Sequence, residues 1–276
     1  MVVNQWAEVE DGLMPCGDTR VSLAPGAYEA KRSGWSYVIS PIGLGEEIRF
    51  VLEDSQSNDI FWEIELFWEK KHLYDKMGLK HQRGILMYGF PGMGKTATAH
   101  LVAQDVIEKG GLFFNCEDFQ ATGWALNNLH IIEPERPVVV LIEDIEQHHE
   151  GDITSLLDGV AETKTHVVFM ATTNYIDELP DRIKNRPSRF DLRIEIAAPS
   201  ENVRREYFSK LLNGLPYSAE RFEEMVNLSE GLSFAHMKEM LVGAMIYDIS
   251  PEEMSTRLAT LAGETEEEYD DDEDDE

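Results

Sequence analysis

The sequence predicts an α/β protein, a parallel sheet flanked by helices and followed by a small all-helical domain. Three observations carry this. Short runs rich in apolar residues occur at Ile85–Tyr88, Leu112–Asn115, Val138–Ile142, His166–Met170 and Leu192–Ile196, with helical stretches between several of them. These runs are nearly continuous in apolar character, which is the pattern of strands covered on both faces. After Pro199 the runs stop and only helical periodicity remains.

The elements follow in order. Residues 1–57 carry scattered Gly and Pro with short alternating pieces such as "SGWSYVIS", which predicts a small β-rich segment. Residues 58–199 form the α/β domain with a leading helix. That helix, "NDIFWEIELFWEKKHLYDKM" from Asn58 to Met77, places Ile60, Ile64, Phe67 and Trp68 at helical spacing, with Asn58 or Asp59 as a cap. Its aromatic stripe suits packing against the domain that follows, with a partner surface as the alternative. Further helices are expected at Thr96–Lys109, closed by Gly110-Gly111, and at Ile153–Glu162. Residues 200–262 read as a helical lid, with helices at Glu201–Leu212, Glu220–Leu228, Ser233–Asp248 and Pro251–Ala262.

Residues 263–276 end the chain in a tail whose "ETEEEYDDDEDDE" holds 11 of the 53 acids. It repels itself and has nothing to bury, so disorder is expected. The remaining 42 acids face 24 basic residues, so the body too is acidic, at −18. A broad surface for nucleic-acid backbone is therefore disfavoured. The 276 residues are 42% hydrophobic, enough for a sizeable core, yet no apolar run reaches the length of a membrane span. The opening "MVVNQWAEVEDG" is too polar and acidic for a secretory signal. The two cysteines, Cys16 and Cys116, lack ligand-like spacing, and a reducing, cytoplasmic setting is the expectation.

The chemistry is concentrated in "GFPGMGKT", Gly89 to Thr96, between a strand and a helix. This is the phosphate-binding loop pattern in the context its mechanism requires. Gly89, Gly92 and Gly94 let the backbone curl so that successive N–H groups point at phosphate oxygens, and the helix start adds its positive dipole end. The residues expected to hold ATP are Gly89, Pro91, Gly92, Met93, Gly94, Lys95, Thr96 and Ala97. Lys95 would reach the β- and γ-phosphates and Thr96 would ligate Mg²⁺. The run at Val138–Ile142 then explains why a buried strand ends in two carboxylates, Glu143 and Asp144. In such folds an acid here helps hold the metal, and a second can orient and deprotonate water. Nucleoside triphosphate hydrolysis is the chemistry implied.

"GLKHQRGILMYGFPGMGKT" (Gly78 to Thr96) resembles, almost position by position, the start of the AAA ATPase module. "ATTN" at 171–174 is similar to that family's sensor segment, with Asn174 as the polar residue that helps place water. "NRPSRFDLRIEI" (Asn185 to Ile196) resembles the arginine-finger segment, which implies that Arg186 and Arg189 reach into a neighbouring subunit's nucleotide. The likeness runs from about Gly78 to Ala244, with its motifs in order. It implies a five-stranded parallel sheet plus a helical lid, assembled in a ring, commonly a hexamer, that remodels a protein or protein complex. A DNA- or replication-linked loader and a slowly hydrolysing, nucleotide-gated scaffold are the alternatives.

Departures from the family pattern are equally specific. The family usually places Asp before Glu at the acid pair, whereas this chain has Glu143 before Asp144. The mitochondrial Rieske-protein translocase branch shares that inversion and resembles this chain around it, but no counterpart of its membrane anchor is expected here. By position, the resemblance gives Glu143 the metal role and Asp144 the role of base. Ala235 stands where many relatives carry an arginine. Where threading rings place an aromatic-apolar-glycine loop, this chain offers "TGWAL", and Trp124 reads as a packed residue rather than a gripping one. His148 and His149 read as solvent-facing loop residues, and both cysteines as incidental.

Overall fold

The computed structural model describes residues 5–9, 12–16, 20–34, 36–44, 57–160, 166–184 and 189–259. Arg186 and the acidic tail lie outside them. Among these residues are nine strands, four before the first helix and five that alternate with helices. Two of the strands, β1 (Gln5–Val9) and β2 (Gly12–Cys16), pair only with each other. The other seven are β3 (Gly26–Ser33), β4 (Ser36–Ile42), β5 (Gln82–Tyr88), β6 (Leu112–Asn115), β7 (Val138–Ile142), β8 (Val167–Thr173) and β9 (Leu192–Glu195). They form one sheet in the order β4-β3-β6-β7-β8-β5-β9.

The five expected parallel strands are all present, and the sheet is larger than that. β3 lies parallel beside β6, with Gly26 opposite Leu112, and β4 closes the edge antiparallel to β3. The second half of the β-rich beginning, β3 and β4, is therefore part of the main sheet. "SGWSYVIS" contains the hairpin turn, where Gly34 takes a left-handed φ of 62°.

Alternate residues of the central strands feed two cores. On one face Phe114, Val138, Val140, Ile142, Phe169 and Ala171 pack under α4 (Phe119–Ile132) and α5 (Glu150–Val160). On the other face Ile85, Met87, Phe113, Val139, Leu141 and Met170 pack under α1 (Ser57–Glu69) and α3 (Lys95–Glu108). β7 and β8 are buried along their whole length, which is why their sequences do not alternate. Each fully buried Val, Leu, Ile or Phe contributes about 1.5–3 kcal/mol.

The predicted leading helix is broken in two. α1 ends at Glu69, Lys70 adopts a non-helical cap geometry, and α2 (Lys71–Met77) stops at Gly78 in the left-handed conformation. A larger difference concerns residues 119–132, to which the sequence pattern assigned no element and whose "TGWAL" stands where threading rings place a loop. They form α4, capped by Asp118, whose side chain accepts from Ala121 N. Trp124 packs against the first core and lies 5.7 Å from the Tyr37 ring of β4. Only three residues, 116–118, separate β6 from α4. After β8 comes the short α6 (Asp181–Lys184). The C-terminal part has its own core, from α7 (Glu201–Leu211), α8 (Ala219–Leu228), α9 (Phe234–Ile246) and helical residues 251–259. Ser200, Ser218 and Ser233 cap the three named helices by accepting from backbone N–H groups.

Candidate active site

The glycine loop, the acid pair and Asn174 meet at the carboxyl ends of the parallel strands, where open α/β sheets bind ligands. β5 runs into the glycine loop, β7 into the acids, and β8 into Asn174. In the loop Gly89, Gly92 and Gly94 have φ of 141°, 75° and 100°. A side chain would be strained in that region of φ, so the sequence of the loop follows from its shape. Gly94 precedes α3 directly, leaving the first backbone N–H groups of that helix facing the loop. Pro91, Thr96 and Ala97 are exposed, while Met93 is buried and anchors the loop in the second core.

The Lys95 ammonium is folded across this loop. Its Nζ donates to Gly89 O at 2.6 Å, to Phe90 O at 3.0 Å and to Asn174 Oδ1 at 2.6 Å. Lys95 is buried, and burial holds its pKa below the usual lysine value, an effect that Asp144 and then Glu146 oppose. Thr96 Oγ1 donates to Glu143 Oε1 at 2.8 Å. A hydroxyl and a carboxylate in contact are the oxygen donors a hard divalent cation takes, so this pair fits Mg²⁺.

Asp144 has a left-handed backbone, φ 43° and ψ 58°, which an aspartate tolerates better than most residues. The turn is held by its N–H, which donates to Thr172 Oγ1 at 3.0 Å, and by a short 3-10 helix at Ile145–Gln147. One consequence of the turn escaped sequence reasoning. Glu146, the third acid after β7, is turned back toward β8, where its Oε1 accepts from Asn174 N at 3.2 Å. Its Oε2 is buried and has no hydrogen-bond partner among the described residues. The signal available in "IEDIEQ" was a third acid two positions beyond the pair. His148 is also bound in here, its Nε2 lying 3.2 Å from Glu143 O, so it is not a free loop side chain. His149 Nδ1 accepts from Gly151 N beside the start of α5. Among the described residues no cluster of His, Cys, Asp or Glu is arranged to hold a metal by itself.

The lid touches the loop directly. Phe234 N donates to Gly92 O at 3.1 Å, and a Cβ on Gly92 would lie 3.1 Å from Ala235 Cβ. The Phe234 ring leans on Tyr207 of α7, with centroids 5.1 Å apart.

Arg189 is placed differently from the other site residues. It is 3% exposed and bound within its own chain, forking onto Asp158 with Nη2–Oδ2 at 2.9 Å and Nε–Oδ1 at 3.3 Å. Its Nη1 donates to Arg182 O. A guanidinium so engaged is not available to a neighbouring subunit's phosphate, so the role the motif implied for Arg189 does not fit this geometry.

Residues 85–198 match the AAA family, the ATPase family associated with various cellular activities. The chain carries an AAA ATPase domain over those residues. It is 28% identical over 262 residues to the proteasome-activating nucleotidase of Methanoregula boonei, an alignment covering 84% of this chain and 58% of that protein. It is 28% identical over 268 residues to Protein CdcH of Halobacterium salinarum, covering 89% and 33%. It is 28% identical over 224 residues to the mitochondrial chaperone BCS1 of Homo sapiens, covering 72% and 52%. The chain thus spans between a third and just over half of these AAA relatives. No helix among the described residues is long and apolar enough to cross a membrane.

Proposed function

We propose that this AAA protein hydrolyses ATP with Mg²⁺ as a ring, commonly a hexamer in the family, and uses the cycle to remodel a protein or protein complex. The observation that carries the reading is the convergence of three separate motifs. Lys95 reaches Asn174, and Thr96 reaches Glu143, across the carboxyl ends of β5, β7 and β8.

The division of labour follows from position. The loop N–H groups and Lys95 bind the phosphates, and Lys95 exchanges its carbonyl partners for phosphate oxygens. Thr96 and Glu143 would hold Mg²⁺, which supplies charge neutralisation between the phosphates. Asp144 accepts the proton from the attacking water, and Asn174 orients that water. Arg186 acts from a neighbouring subunit on the developing charge. A reducing, cytoplasmic setting belongs to the same reading and is in keeping with Cys116, a buried free thiol whose pKa burial pushes up to about 12.

The short connection at 116–118 bears on what the ring does with its substrate. There is no extended loop between β6 and α4 to carry a gripping side chain, and Trp124 is committed to packing. The reading is therefore of remodelling by lid and subunit movement, without a threading grip at this position. The test is steady-state ATPase turnover and particle mass with and without ATP. Turnover should depend on Mg²⁺, ATP should favour the ring, and Lys95→Ala should abolish activity. A Lys95→Ala variant with wild-type turnover would sink the assignment.

A further inference from the structure

We propose that Arg189 is a positioning residue, which fastens its segment to α5 of its own subunit through Asp158 while its backbone sits on β5. This rests on the ring-ATPase reading above, in which Arg186, three residues earlier in the chain, is the group presented to a neighbour.

Three features of Arg189 point to the clamp. The side chain is almost wholly buried, and all three guanidinium nitrogens donate within the chain, two to Asp158 and one to Arg182 O. A planar fork matched to a carboxylate holds orientation as well as position. The backbone is equally constrained, because Arg189 O passes over Gly84 of β5, where any Cβ would overlap it. That is why β5 carries a glycine between Arg83 and Ile85. Immediately afterwards Phe190 is buried in the first core, and Leu192 pairs with Ile85.

The connections give the clamp its purpose. β5 leads into the phosphate loop, and α5 begins just after the turn that carries Glu143, Asp144 and Glu146. Asp158 lies on α5, so the Arg189–Asp158 pair ties the arginine segment to the helix that follows the acids, while Arg189 O seats the same segment on the strand that leads into the phosphate loop. A shift of either is transmitted to the segment that the reading aims at the next subunit. Asp158 is the residue that separates the two possible jobs of Arg189. A finger would not need it, and a clamp does. Its side chain is 51% exposed, so replacing it removes little buried surface.

The experiment uses the full chain and four variants: Arg189→Ala, Asp158→Asn, the double variant and Asp158→Glu. Melting temperature is measured together with kcat and KM for ATP. Asp158→Asn is expected to lower the melting temperature and to reduce kcat by about tenfold with KM little changed, the signature of misplaced rather than missing chemistry. The double variant should be no worse than Arg189→Ala alone, and Asp158→Glu should recover part of both losses. Wild-type melting and turnover in Asp158→Asn, with Arg189→Ala inactive, would overturn the clamp and return Arg189 to direct contact with nucleotide. Arg186→Ala is the separate control for the ring reading. If the wild-type chain does not hydrolyse ATP, that reading fails, and non-additive melting temperatures still decide the clamp.

Discussion

Thr96 Oγ1 donates to Glu143 Oε1 at 2.8 Å, joining the first turn of α3 to the residue just past β7. The two lie 47 positions apart in the chain and meet because β5 and β7 run parallel on either side of β8. The first prediction follows from this contact. Glu143→Gln keeps the shape but weakens the pull on a divalent cation, so half-maximal turnover should need about tenfold more Mg²⁺. Turnover titrated with Mg²⁺ checks it, and an unchanged midpoint would remove Glu143 from the metal.

Asp144 is the expected base. Asp144→Asn should bind ATP with wild-type affinity and lose on the order of a hundredfold or more in rate. Nucleotide affinity and turnover on the same preparation decide the matter. Should Asp144→Asn lose Mg²⁺-dependent binding while Glu143→Gln keeps it, the two roles are exchanged.

Glu146 offers a sharper test of the sensor. It accepts from Asn174 N, and Asn174 in turn accepts from Lys95. Glu146→Ala leaves that half-buried backbone donor without its partner, which costs at most about 1–3 kcal/mol. We expect kcat to fall about tenfold with ATP affinity retained, because the lost contact orients Asn174 rather than the phosphates. A change confined to ATP affinity would show that Glu146 serves the loop instead.

A fourth prediction concerns pH and lies at the opposite end of the sheet. His81 Nε2 donates to Phe67 O at 2.8 Å, so the unprotonated Nδ1 of His81 accepts from His166 Nδ1 at 3.0 Å. Burial, with smaller contributions from His166 and Lys71, pushes His81 down to about 4, against the opposing pull of the Phe67 carbonyl and Asp75. His166 is also lowered by burial first, then by Lys71, with Glu135 and Asp75 opposing. Both folded pKa values lie below the unfolded value, so between pH 6.5 and 4 the unfolded chain binds the extra protons. Stability from this pair is complete above about pH 6.5 and is lost as pH falls toward 4. For His81 alone the loss amounts to roughly 3 kcal/mol by pH 4. Denaturant midpoints between pH 7.5 and 5 should fall with pH, and His81→Gln should flatten that slope. Equal slopes in both proteins would assign the effect to carboxylates elsewhere.

What could be seen in the sequence was whatever depends on local pattern. β6 and β7 have the predicted boundaries because a short run buried on both faces has no other reading. The glycine loop was legible because its backbone demands particular residues at particular spacings. The addition of β3 and β4 to the sheet was not legible, since parallel pairing of Gly26 with Leu112 depends on contacts far along the chain. α4 was missed because "FQATGWALNNLHII" is apolar on more than one side, so its periodicity is weak. Glu146 and Arg189 show the limit most clearly. A motif states which residue stands at a position, but the partner is set by a left-handed turn at Asp144 in one case and by α5 in the other.

The seat of β3 also orders events in time. During synthesis residues 26–33 are made early, but the strand they flank, β6, ends only at Asn115. At cellular elongation rates the interval between the two is on the order of 4–16 s. Until then the β3–β4 hairpin has an unpaired inner edge, open to any other extended chain nearby. Among the described strands of the main sheet, the first to leave the ribosome waits for the fourth before it can be seated.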